Sequence, residues 1–142
     1  MPQSPGPDVA PDAGAQRHVF VYGTLRRGGC NDIARYRPVP VHVADASIAA
    51  TLYDLGAYPG AVLGGKRRVV GEIYRVARQV EAELDRLEGV AGDGSGEYIR
   101  RHLIVEAGAQ RFECLVYEIH PSRIEGRAVI DSGDWMAHAA AK

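Results

Sequence analysis

The segment "RRVVGEIYRVARQVEAELDRLEG", residues 67–89, contains the two periodicities that determine the fold class. Its first part alternates in polarity and is rich in β-branched residues, which predicts a strand over residues 67–76. Apolar residues then recur at helical spacing, and a glycine follows where a helix would end: Val76, Val80, Leu84, Leu87 and Gly89. A strand therefore leads directly into the one clear helix of the chain, which we predict over residues 77–89.

The residues on the N-terminal side of this segment predict further strands. "HVFVYGTL", residues 18–25, is typical of a buried strand, and a short helical turn is expected from Asn31 to Tyr36. Residues 41–55 predict one long or broken strand. The glycine- and proline-rich "GAYPGAVLGG", residues 56–65, predicts a turn.

The residues on the C-terminal side predict a hairpin and a final helix. "YIRRHLIVEAG" and "QRFECLVYEI" are separated by a tight turn, which indicates two antiparallel strands. "SGDWMAHAAAK" predicts a short helix or ordered cap with Trp135 packed. Strands, one helix and more strands indicate an α+β fold with a mostly antiparallel sheet or barrel. We expect one domain over residues 18–142, preceded by a disordered tail over residues 1–17.

The composition excludes several classes of protein. The chain has 142 residues and a net charge of −1, so charge offers no argument for a nucleic acid or an anionic membrane as partner. The two cysteines, Cys30 and Cys114, are too few for a disulfide framework, and we expect both to be reduced. The five histidines show no metal-ligand spacing. Without a secretory signal or a long apolar segment, we expect a cytoplasmic protein.

Two carboxylates are candidates for acid–base chemistry. Glu88 ends the predicted helix on the flank of its apolar stripe, where partial burial and the carbonyl end of the helix would both raise its pKa. Glu72 shares a strand face with Tyr74 and needs a partner or a function if that face is buried. Each of these glutamates also has a structural interpretation, as a solvated or a paired side chain. Spacing alone does not show which of the two carries the chemistry.

Other groups have both a functional and a structural interpretation. Tyr22, Tyr98 and Tyr117 lie on or at the ends of predicted strands, where tyrosines serve as pocket walls or as core residues. Cys30 lies in a glycine-rich loop, but no histidine adjacent in sequence supports a nucleophile. "GDGSG", residues 92–96, predicts a flexible loop that could act as a lid.

Six motifs in a fixed order resemble the γ-glutamylcyclotransferase-like, or AIG2-like, family. They are "VFVYGTLRRGGCN", "TLYDLGAYPGAV", "VVGEIYRV", "LDRLEGV", "EYIRR" and "CLVYEI", and "GDW" extends the similarity more weakly toward residue 138. The resemblance implies a compact mixed fold around a small β-barrel, with a pocket at the end of the first strand. It also implies an enzyme, a cyclising acyltransferase or lyase, that releases 5-oxoproline from a γ-glutamyl group without a metal or organic cofactor.

The resemblance also implies roles for particular residues. Glu88 in "LDRLEG" matches the family's catalytic glutamate, which leaves Glu72 as a supporting residue. The turn at Tyr22, Gly23, Thr24 and Leu25 matches the substrate-binding loop, with Tyr98 and Tyr117 as pocket walls. The implied partner is a small γ-glutamyl compound. The alternative is a binding domain that retains the pocket without catalysis.

Overall fold

The computed structural model describes residues 16–90 and 96–142, which form six strands and two helices. These elements are β1 (Gln16–Val21), β2 (Val41–Asp54), β3 (Pro59–Ala77), α1 (Arg78–Leu87), β4 (Tyr98–Ala107), β5 (Gln110–Ile119), β6 (Ala128–Val129) and α2 (Trp135–Ala140). Short 3-10 turns occur at Ile33–Arg35 and Pro121–Arg123. No helix in the described part of the chain is long and apolar enough to cross a membrane.

The strands form one sheet in the order β4-β5-β1-β3-β2-β6. Its neighbouring strands are antiparallel except for β1 and β5, which run parallel. The predicted α+β class and mostly antiparallel sheet are therefore confirmed. The predicted barrel is wrong, because the edge strands β4 and β6 do not pair and the sheet stays open. Alternating polarity predicts which residues face the core, but it does not determine whether the two edges of a sheet meet.

Strand β1 is buried on both faces, which explains its continuous apolar run. Phe20 faces a core cluster that Trp135 of α2 completes, while Val19 and Val21 face a second cluster. Helix α1 covers this second face with Val80 and Leu84. The end of β1 is consequently held between two packed layers, and the chain that follows it starts from a rigid position.

The predicted turn over residues 56–65 is only partly correct. The chain reverses at residues 55–58, where the Leu55 N–H donates to the Tyr58 carbonyl at 3.0 Å. Strand β3 already begins at Pro59 and pairs with β2. The two glycines at 64 and 65, with φ of +101° and +81°, lie in a bulge of β3, because residues 64–67 have no partner in β2. Glycine accommodates a bulge as readily as a hairpin turn, so composition did not distinguish them.

The predicted helix, C-terminal hairpin and terminal helix are confirmed. Helix α1 ends at Leu87, and Gly89 follows with φ of +65°, as expected of a glycine that terminates a helix. Strand β1 begins at Gln16, two residues before the expected domain start at His18. The rest of the predicted tail, residues 1–15, and most of the predicted "GDGSG" loop lie outside the described residues.

Candidate active site

A pocket of about 260 Å³ lies at the end of β1. Its walls come from the turn after β1, the end of α1, the start of β4, the C-terminal part of β5 and the turn before β3. Every site residue predicted from the sequence lines this pocket: Tyr22, Gly23, Thr24, Leu25, Glu88, Tyr98 and Tyr117. The fold thus brings together residues that are far apart in the chain.

The turn after β1 offers backbone donors to the pocket. The carbonyls of Gly23, Thr24 and Leu25 accept hydrogen bonds from the N–H groups of Arg26, Asn31 and Ile33, each at 3.0 Å, which hold the turn in shape. In the described part of the chain, the N–H groups of Gly23, Thr24 and Leu25 meet no acceptor. Three successive amides are therefore available to bind an anionic group.

Glycine is required at position 23 by the closeness of the neighbouring turn. A Cβ placed there would lie 2.8 Å from the Cγ atom of Pro59. Pro59 is itself fixed, because its carbonyl accepts a hydrogen bond from the Tyr98 hydroxyl at 2.6 Å. The absence of a side chain at Gly23 lets the two turns approach and shape one wall of the pocket.

The three tyrosines contribute rings to the pocket, while their hydroxyls bond to the framework. The Tyr22 hydroxyl donates to the Tyr117 carbonyl at 2.6 Å, and the Tyr117 hydroxyl donates to Asp85 Oδ1 at 2.6 Å. Tyr98 donates to Pro59 as described above. Burial raises the pKa of each of these tyrosines above its ordinary value, so each stays a neutral donor. The structure thus assigns these hydroxyls a positioning role.

Glu88 places a carboxyl in the pocket at the end of α1. Its N–H donates to the Leu84 carbonyl at 2.9 Å, so the last turn of the helix fixes its backbone. The residue is half-buried, and its carboxyl accepts no hydrogen bond from the described residues. Burial, followed by the negative charge of Glu97, raises the pKa of Glu88 to about 8. A carboxyl with this pKa can both accept and donate a proton near neutral pH.

Two further pocket residues, Glu97 and Tyr58, were missed by the sequence analysis. The Tyr58 hydroxyl donates a hydrogen bond to Glu97 Oε2, and both residues line the pocket. The Glu97 N–H donates to the Gly89 carbonyl at 3.0 Å, which brings Glu97 beside the end of the helix. Both residues lie within motifs quoted above, "EYIRR" and "GAYPGAV". The motifs therefore contained both residues. Only the contact between the two segments distinguishes Glu97 and Tyr58 from ordinary surface residues.

Glu72 lies outside this pocket and supports the turn from behind. Its buried carboxylate accepts hydrogen bonds from Arg26 Nε at 2.7 Å, from the Arg27 N–H at 3.0 Å and from the Tyr74 hydroxyl at 3.2 Å. Arg26 also donates to Asp134 Oδ1 at 2.9 Å. Glu72 therefore anchors the residues that follow the amide-bearing turn, which agrees with the supporting role expected for it.

Cys30 lies exposed at the rim of the pocket, and Cys114 is buried; both are free thiols, as expected. No histidine is among the described residues that line the pocket, so Cys30 has no imidazole base beside it there. In residues 16–90 and 96–142, no three histidine, cysteine, aspartate or glutamate side chains are grouped as metal ligands.

Comparison with known proteins identifies the family to which this chain is similar. Residues 19–137 match the family described as "Gamma-glutamyl cyclotransferase, AIG2-like". The chain is 39% identical over 120 residues to a Vibrio cholerae protein provisionally named gamma-glutamylcyclotransferase, covering 84% of this chain and 96% of that protein. It is 35% identical over 119 residues to the Escherichia coli K12 gamma-glutamylcyclotransferase family protein YtfP, covering 83% and 95% of the two chains. A solved AIG2-like protein from Mus musculus is similar with a TM-score of 0.66 and 25% identity, covering 82% of this chain and 86% of that chain.

Proposed function

Since the chain belongs to the gamma-glutamyl cyclotransferase, AIG2-like family, we propose that it releases 5-oxoproline from a γ-glutamyl amine or peptide. The observation that carries this proposal is the position of Glu88. Its carboxyl, with a pKa of about 8, shares one pocket with the three available amides of residues 23–25. A proton carrier facing a set of anion-binding donors is the combination that cyclisation of a γ-glutamyl group requires.

The pocket would bind the substrate in a folded conformation. The amides of Gly23, Thr24 and Leu25 would hold the α-carboxylate or the oxygen that becomes negative when the γ-carbonyl is attacked. The rings of Tyr98 and Tyr117 would confine the carbon chain between them. Because nucleophile and carbonyl belong to one molecule, this confinement alone contributes much of the rate acceleration.

Glu88 would transfer the protons. The substrate's α-ammonium gives one proton to the Glu88 carboxylate, and the resulting amine attacks the γ-carbonyl carbon. A second proton leaves the nitrogen as the lactam forms, and the bond to the leaving nitrogen breaks. The leaving amine gains both protons and departs as an ammonium, so the charges balance and Glu88 returns to its starting state. This route uses no metal or organic cofactor.

The test is to incubate the protein with a panel of γ-glutamyl amines, including ε-(γ-glutamyl)lysine, and to quantify 5-oxoproline by mass spectrometry. Glu88→Gln should lower kcat/KM by about a hundredfold or more, because the amide cannot carry the proton. Glu113→Gln, an exposed glutamate on β5, is the matched control and should keep the wild-type rate. Dialysis against a chelator should not change the rate.

Two results would contradict this proposal. One is the absence of 5-oxoproline from every γ-glutamyl donor, even where calorimetry detects binding; that result would favour a binding domain. The other is a Glu88→Gln variant that retains the full rate, which would assign the proton transfer to another group.

A further inference from the structure

The charge distribution around the pocket differs from that in the rest of the fold. Among residues 16–90 and 96–142, the two buried charged side chains are neutralised, since Glu72 meets Arg26 at 2.7 Å and Glu81 meets Arg100 at 2.5 Å. In the pocket, Glu88 and Glu97 form no ion pair with a cationic side chain of the described residues. The fold thus pairs its deeply buried acids but leaves those of the pocket without a counter-charge.

The lining of the pocket supplies no such counter-charge, although Arg123 and Arg127 act electrostatically on Tyr58 from outside that lining. No lysine, arginine or histidine is among the described residues that line the pocket. None occurs in the sequence of residues 1–15 or 91–95 either. The pocket therefore combines acidic side chains with residues whose backbone N–H groups have no acceptor among the described residues, a combination suited to a ligand that carries an ammonium and a carboxylate.

Hydrogen bonds hold Glu97 in place in the pocket. Its own N–H donates to the Gly89 carbonyl at 3.0 Å, and its carbonyl accepts from the His120 N–H at 2.9 Å. The Tyr58 hydroxyl then donates to Oε2, which fixes the carboxylate and leaves Oε1 without a donor among the described residues. A carboxylate on a backbone held at two points, with one oxygen already bonded, loses less freedom when it binds a cation than an unrestrained side chain would.

Glu88 by itself is a poor group to hold the ammonium. With a pKa of about 8 it is largely protonated and uncharged at neutral pH, and during the proposed reaction it gains and loses protons. A second acidic side chain that binds the ammonium without taking part in the proton transfer would keep the substrate nitrogen in place throughout. Of the residues that the structure describes, Glu97 is the other acid that lines this pocket.

We propose that Glu97, oriented by the Tyr58 hydroxyl, binds the α-ammonium group of the substrate and presents it to Glu88. This inference rests on the proposed function for the identity of the substrate. It assigns Glu97 to binding and Glu88 to proton transfer. It also predicts that the site discriminates strongly against compounds that lack the α-amino group, whatever the leaving amine.

The experiment measures binding in a protein that does not turn the ligand over. Isothermal titration calorimetry would compare Glu88→Gln with the double variant Glu88→Gln/Glu97→Gln. The two probes are γ-glutamylmethylamide and the methylamide of glutaric acid, which lacks only the α-amino group. Glutamine is isosteric with glutamate and can still accept from Tyr58, so the double variant should keep its fold; circular dichroism would verify this.

We expect the Glu88→Gln protein to bind the ammonium-bearing probe about tenfold or more tightly than its deamino analogue. The double variant should lose most of this preference while binding the deamino analogue unchanged. Glu88→Gln/Glu113→Gln is the matched control and should keep the full preference. Tyr58→Phe, combined with Glu88→Gln, should reduce the preference in part, because it releases Glu97 without removing its charge.

An undiminished preference in the double variant would overturn the proposal, as would the absence of binding by either probe to Glu88→Gln. These outcomes are separate from the test of catalysis. If the wild type releases no 5-oxoproline but the preference still depends on Glu97, the proposed reaction fails and the ammonium site stands. If the wild type is active and the preference is independent of Glu97, only the ammonium site fails.

Discussion

Replacing Glu88 with glutamine should change how the free energy of unfolding depends on pH. Burial, followed by the negative charge of Glu97, raises the pKa of Glu88 from 4.5 to about 8 in the native protein. Between these two values the native chain binds more protons than the unfolded chain, so the free energy of unfolding of the wild type falls as pH rises. The glutamine variant has no proton to lose at this position and avoids that loss of stability.

The size of the effect follows from the same pKa difference. If the whole pKa difference contributed, the rise from 4.5 to about 8 would correspond to a change of about 5 kcal/mol in the free energy of unfolding. Glu88 is only half-buried and faces a solvent-accessible pocket, and hydration of the ionised carboxylate lowers that cost. We therefore expect the free energy of unfolding of Glu88→Gln to rise, relative to wild type, by about 2 kcal/mol between about pH 5 and about pH 9.

Urea unfolding of the wild type, Glu88→Gln and Glu113→Gln at both pH values would measure this difference. The exposed Glu113 lies on β5 outside the pocket, so its variant controls for the loss of one glutamate charge and should behave as wild type. A difference between wild type and Glu88→Gln that stays constant across this range would refute the reasoning. It would mean that the native pocket does not favour the neutral carboxyl.

The remaining predictions concern activity and the support of the pocket. Glu97→Gln removes the charge beside Glu88 and should move the acidic limb of the kcat/KM profile to lower pH, as pH–rate measurements would show. Gly23→Ala should cost about 1–3 kcal/mol in urea unfolding and lower kcat/KM about tenfold or more, because its Cβ would displace the turn. Glu72→Gln should cost about 2 kcal/mol in urea unfolding by weakening a buried ion pair. Cys30→Ser should keep the wild-type rate in the 5-oxoproline assay; inactivation would support a thiol nucleophile.

Local patterns in the sequence predicted most of the elements of this fold. Alternation over residues 67–76 predicted part of β3, and helical spacing followed by Gly89 predicted α1 and its end. These predictions succeeded because strand alternation and helix termination depend on neighbours within a few residues. The prediction of a barrel was wrong because barrel closure depends on distant segments of the chain. It requires β4 and β6, which lie at the two ends of the sheet order, to pair with each other.

Some residues of the candidate site were predicted from the sequence, and others were found only in the structure. The ordered set of motifs that includes "YGTL" and "LDRLEG" selected the turn after β1 and Glu88, and the fold places both in one pocket. Glu97 and Tyr58 were not selected, because nothing in their local sequence distinguishes them from surface residues. Their role in the pocket depends on the contact between the turn before β3 and the start of β4.

The sequence by itself therefore determined most of the elements and the family, because these depend on local periodicity and on short ordered motifs. The tertiary structure alone decided that the sheet stays open, that Glu72 supports the turn from outside the pocket, and that Glu97 lies beside Glu88. These features depend on contacts between segments distant in the chain. For these glutamates, the burial of the carboxylate and the charges around it are established only when the chain has folded.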